Sequence, residues 1–146
     1  VGKPFYKTYF KKINELLSDE GIAVVHTIGN IRTPKLTPTF IRKYIFPGGY
    51  IPSLSEIMPA IERSGLIISD IEVLRLHYAK TLSHWFQNFK NSKDEVLKLY
   101  DERFIRMWEA YLNLSELSFI KGENFIFQLV LTKKRDSFTL VRKKIN

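Results

Sequence analysis

The stretch AVVHTIGN, residues 23–30, decides how the rest of the chain is read. Small apolar residues run unbroken into a histidine, then Thr-Ile-Gly. With Ile22 in front, residues 22–28 read as a strand apolar on both faces, the pattern of a parallel strand covered by helices on each side. His26 at the end of such a strand is either a packed core imidazole or a group delivered to a site. Ligands in open α/β sheets bind at the carboxyl ends of strands, which favours delivery.

Outward from that strand, elements alternate. Upstream, residues 3–21 read as an amphipathic helix, with Phe5, Tyr9, Ile13, Leu16 and Leu17 at helical spacing, Pro4 in the first turn and Gly21 as the stop. Downstream, residues 29–52 form a loop-rich segment with prolines at 34, 38, 47 and 52. It keeps Ile41, Tyr44, Ile45 and Phe46, and a long loop with that much apolar surface is usually a lid or pocket wall. Residues 53–65 read as a short helix opened by a Ser53/Glu56 capping box and interrupted by Pro59. A strand over 66–76 follows, then helices over 78–91 and 93–120, and a last strand over 124–134. The order predicts an α/β fold with a helical insertion before the final strand. Three strands make a small sheet, and the first one calls for parallel neighbours on both sides. The chain therefore reads as the C-terminal half of a larger fold. Its opening at Val1, two residues before a helix, suggests truncation, processing or a split gene.

Composition narrows the class. The 146 residues are 45% hydrophobic and 14% aromatic, enough for one well-cored domain and not for a disordered chain. There is no cysteine, which removes disulfides and thiolate metal sites and suits a reducing cytoplasm. His77 and His84 lack acidic or cysteine partners at ligand spacing, so no metal is expected. No apolar run approaches the ~20 residues that span a bilayer. The net charge of +8 and pI near 9.7 favour polyanions, whether nucleic acid or an anionic membrane surface. The clusters KKR (133–135) and RKK (142–144) put much of that charge in a basic tail over 134–146. Basic residues interleaved with exposed aromatics are missing, which argues against nucleic acid.

Six stretches in order, HTIG (26–29), KYIFPGG (43–49), PS (52–53), HYAKTLSHW (77–85), ERFIRMWEAYL (102–112) and FQLVL (127–131), resemble the cyclopropane-fatty-acyl-phospholipid synthase and mycolic acid cyclopropane synthase family. The likeness runs to about residue 133. It implies the last three strands of a Rossmann-like S-adenosylmethionine methyltransferase sheet, with residues 78–120 as the helical insertion that helps to form an acyl pocket. It implies methyl transfer from S-adenosylmethionine to the cis double bond of a membrane phospholipid acyl chain, with bound bicarbonate accepting a proton as the cyclopropane closes. By the same likeness His26, the backbone N–H of Ile28 and the hydroxyl of Tyr78 hold the bicarbonate. Phe46, Ile51, Leu82, Tyr111, Ser115 and Phe119 line the acyl pocket. Tyr111, Ser115 and Phe119 are four apart and so share a helix face. The family often has cysteine where Ser115 stands.

The glycine-rich cofactor loop of that family has no counterpart here, since PGGY follows no strand and opens no helix. The family's bicarbonate-binding glutamate would fall just upstream of Val1. The chain is thus expected to bind lipid but not the methyl donor, to be inactive alone, and to work peripherally at the inner membrane face. The alternatives are a non-catalytic remnant or a partner that completes a separately encoded N-terminal half.

Overall fold

The computed structural model describes residues 1–139, so the RKK cluster lies outside the described residues. After a 3-10 turn at Lys3–Phe5, α1 (Tyr6–Leu16) leads into β1 (Ile22–Asn30). A π-helical turn, Ile41–Ile45, interrupts the proline-rich segment. Then come α2 (Leu54–Glu62), β2 (Ile67–Val73), α3 (Arg75–Asn91), the short α4 (Lys93–Leu97), α5 (Glu102–Ile120) and β3 (Asn124–Thr132).

The sheet order is β1-β3-β2, and β3 runs antiparallel to both neighbours. This corrects the expectation for the first strand: its ladder partner in this chain is the antiparallel β3, paired from Ile22↔Thr132 to Asn30↔Asn124. The strand covered on both faces is β3. Its Phe127, Leu129 and Leu131 pack with Tyr6 and Phe10 of α1 and Ile57 and Ile61 of α2. Its Ile126 points the other way, into Ala79 and Leu82 of α3 and Leu112 and Phe119 of α5. Successive residues of a strand face opposite sides, so a continuous apolar run is what such a central strand needs.

β1 is covered on one face along its first half, and on the other only near its end, where Ile28 packs against the α3/α5 cluster. Ala23 and Val25 join the α1/α2 core, whereas Ile22 and Val24 on the other face are 47% and 58% exposed. The strand also continues to Asn30, so His26 sits mid-strand opposite Gln128 and is exposed, neither at the strand's end nor packed in the core.

Other departures have local causes. On this segment Tyr6 and Phe10 are buried and the expected Tyr9, Ile13 and Leu17 pack beside them, whereas Phe5 and Leu16 are exposed at the edges of the stripe. Its backbone leaves the helix at Leu17, and Gly21 serves the turn into β1 through its N–H to the Ser18 carbonyl. Pro59 is accommodated within α2, which closes at Glu62. The expected long helix over 93–120 breaks after Leu97 because Asp101 caps a new start, its carboxylate accepting from the Phe104 N–H at 2.8 Å. Lys134 folds back on Glu20 at 2.6 Å, so part of the tail's charge is paired.

The glycine of HTIG is a packing requirement. A Cβ on Gly29 would lie 2.2 Å from the Phe127 ring and 3.1 Å from the Pro52 carbonyl oxygen. Beside it, the Asn30 N–H donates to that Pro52 carbonyl at 2.8 Å, which straps the start of α2 to the end of β1. Gly29→Ala is expected to cost about 1–3 kcal/mol by overpacking, a fall in Tm on the order of 5 °C for a chain of this size. An unchanged thermal transition would contradict this packing.

Candidate functional site

A cavity of about 590 Å³ opens beside the C-terminal half of β1. All nine site residues expected from the sequence line it: His26 and Ile28 from β1, Phe46 and Ile51 from the proline-rich segment, Tyr78 and Leu82 from α3, and Tyr111, Ser115 and Phe119 from α5. Four segments thus converge, β1 being held by β3 beside the α3/α5 pair with Ile126 as the shared floor.

The walls are aromatic. The Tyr78 ring lies 4.9 Å from Phe119 and 6.1 Å from Trp85. Tyr111 is 5.0 Å from Trp108 and meets Phe46 edge-on at 6.0 Å. Such tilted and edge contacts fix ring orientation. Burial raises the pKa of the Tyr78 hydroxyl. It raises that of Tyr111 as well, with Tyr78 adding to the effect and a hydrogen bond to Ser115 opposing it. Both phenols therefore stay protonated at neutral pH and can act as donors.

The backbone contributes too. Asn30 directs its N–H to Pro52 and Ile31 directs its own to Glu123, on the side of β3. By the alternation of an antiparallel ladder, the Ile28 N–H points away from β3, to the same outer side as that of Asn30. An amide, a phenol and an imidazole thus border one apolar cavity. This donor set suits a small anion, and the rings around it suit a chain of CH₂ groups.

Ile41 also lines the cavity, as expected of an apolar residue in a pocket-wall segment, whereas Tyr50 and Pro47 beside the PGG turn, Thr37 before it, and Asn124 carried no such signal in the sequence. Gly48 has a φ of +74°, the left-handed conformation that lets the turn reverse. The turn is anchored by Glu56, whose part in the capping box was legible but whose other partners were not. Its carboxylate accepts from the Tyr50 hydroxyl at 2.7 and 2.8 Å, from the Ser53 N–H at 3.0 Å and from the Lys3 ammonium at 2.6 Å. One side chain, 8% exposed, thereby ties α2, the PGG turn and the start of the chain together. Desolvation raises its pKa, but the bonds from Lys3, Ser53 and Tyr50 outweigh that and leave it below the usual value. His77 and His84 are exposed on α3, away from the cavity lining.

A family model described as mycolic acid cyclopropane synthetase matches residues 1–129. Tuberculostearic acid methyltransferase UfaA1 of Mycobacterium tuberculosis is 36% identical over 140 residues, covering 92% of this chain and 33% of the relative. Cyclopropane-fatty-acyl-phospholipid synthase of Escherichia coli K12 is 34% identical over 133 residues, covering 91% and 35%. Among solved structures, mycolic acid cyclopropane synthase CmaA1 complexed with SAH and CTAB superposes with a TM-score of 0.80 at 25% identity, covering 89% of this chain and 50% of that one. The chain spans about a third of the length of these curated relatives and half of the solved one.

The Glu56 junction has a measurable signature. Glu56→Gln is expected to destabilise by about 1–3 kcal/mol, the range for a lost charge-assisted bond at a buried acceptor. Because the folded carboxyl has the lower pKa, its contribution is present above the unfolded value and is lost as pH falls through the folded one. Wild type should thus lose stability on acidification below about pH 4 more steeply than the Gln variant. Parallel acid melting curves for the two would contradict the assignment.

Proposed function

Because this chain belongs to the mycolic acid cyclopropane synthetase family, we propose that it forms the acceptor side of a lipid methyltransferase, binding an unsaturated acyl chain in the 590 Å³ cavity. The observation that carries this reading is the convergence on one aromatic-walled cavity of the nine residues that the family resemblance implies.

S-adenosylmethionine is proposed as the methyl donor, and its site is proposed to lie outside the described residues of this chain. Gly48 and Gly49 follow the π-helical turn and not a strand, so they lack the strand-to-helix cradle such a cofactor takes. The donor is assigned to the portion of the relatives that this chain does not span. The exposed face and outer edge of β1 are where that portion would abut, whether on the same polypeptide or as a separately encoded half.

The residues present fit bicarbonate. Its place would be among the Tyr78 hydroxyl, the Ile28 N–H and His26, and when bound it supplies a base for the proton lost as the ring closes. The phenol and the amide donate hydrogen bonds that offset the cost of an anion in an apolar setting. The faces of Tyr78, Tyr111 and Phe119 offer negative potential to positive charge developing on the acyl chain. The cavity keeps the acyl chain from water.

Contact with an anionic membrane surface is proposed from the net charge of +8. Among the described residues no helix is long and apolar enough to cross a membrane.

Two measurements test this reading. Calorimetric titration of S-adenosylmethionine into the 146-residue chain is expected to give no binding heat, and the chain alone no turnover. Micromolar binding would overturn the division of roles. In any form of the protein that methylates lipid, Tyr78→Phe is expected to lower kcat by on the order of 10²-fold, the loss typical of one donor to a buried anion. An unchanged kcat would remove Tyr78 from the chemistry.

A further inference from the structure

A second cavity, of about 400 Å³, lies beside the first. The two share one wall, made by Thr37, Ile41, Ile51, Ser115 and Asn124. Thr37 is 7% exposed, and its Oγ1 is buried without a hydrogen-bond partner, the one such side-chain atom among the described residues. Buried hydroxyls are nearly always satisfied, so an orphan in the wall between two cavities points to a missing partner. A hydroxyl donates one hydrogen bond, which an acyl chain can accept only at an oxygen.

The character of the second cavity says which end of a lipid brings that oxygen. Apolar surface comes from Leu36, Phe40, Ile41 and Leu114, with Leu36 and Leu114 exposed. Its rim also carries Lys35, which hydrogen-bonds Glu123 and is half exposed. Glu123 lines the same rim and pairs with both Lys35 and Arg32, so the three side chains together leave net positive charge there. An apolar chamber with that charge at its rim suits the glycerol end of a phospholipid, not the terminal methyl.

We propose that the two cavities are one bent site, in which the second holds the ester end of the phospholipid acyl chain, the Thr37 hydroxyl donates to the ester carbonyl, and Lys35 faces the headgroup phosphate. This rests on the reading that the first cavity binds an acyl chain. It makes Thr37 a residue that reads the linkage of the lipid and sets how far the chain advances toward His26.

The test uses the 146-residue chain and a monomeric short-chain phosphatidylglycerol brominated on its acyl chains, in ester-linked and ether-linked forms. Bromine quenches Trp108 and Trp85, which stand beside cavity residues Tyr111 and Tyr78. Wild type is expected to bind the ester about fivefold more tightly than the ether, which lacks the carbonyl. Thr37→Ser should keep that preference and Thr37→Val should lose it. Equal binding of the two lipids by wild type, or a preference that survives in Thr37→Val, overturns the role of Thr37 while leaving the acyl cavity standing. Quenching by neither lipid overturns the acyl cavity and this inference together. The wild-type comparison alone decides the matter should the valine variant fail to fold.

Discussion

Burying one strand on both faces is the constraint on which the rest of this structure depends. β3 can hold Phe127, Leu129 and Leu131 out of water only if α1 and α2 lie across one face, and Ile126 only if α3 and α5 lie across the other. Fixing those two layers fixes the cavity, because its floor is Ile126 and its walls are the α3 and α5 side chains next to that residue. The apolar area that drives folding and the apolar area that would receive a lipid therefore adjoin. A core change at Ile126 would be felt in both.

The polar groups around the loop that walls the cavity are held by a few bonds made outside the cavity. Glu56 sits under the PGG turn and holds Tyr50, the Ser53 amide and Lys3 at once. The Asn30–Pro52 bond fixes the same segment to β1. The loop that walls the cavity is thus pinned on either side of Ile51, which makes a proline-rich stretch without regular structure a defined surface. Tyr78 and Tyr111 take their orientation from ring contacts instead, and burial keeps them as donors.

Much of this was legible in the sequence for reasons that can be stated. The helical spacing of Tyr111, Ser115 and Phe119 places them on one face whatever the tertiary structure. The capping box of Ser53 and Glu56 is a local signal, and it is present. What the sequence could not carry was pairing. Residues 22–28 look equally apolar on both sides, yet only Ala23 and Val25 on one face and Ile28 on the other pack against helices, and nothing local says that β3 would lie antiparallel beside them. For the same reason His26 read as a strand end, when four more residues extend the ladder to Asn30. Thr37 was invisible for a different reason: a threonine in a loop carries no signal until its hydroxyl is seen to lack a partner. The helix break at Asp101 was written locally, as an aspartate three residues before Phe104, but a continuous apolar pattern masked it.

The strap between Asn30 and Pro52 has a bearing on assembly. β1 lies at the margin of the sheet, and Ser53 bridges Asn30 in parallel there. Any strand that adds to that margin must therefore end where Pro52 begins, leaving only the stretch up to Ile28 open to it. Since a slip of one residue turns every side chain to the wrong face, such a stop works as a ruler. It would dictate alignment before any side chain had met its partner.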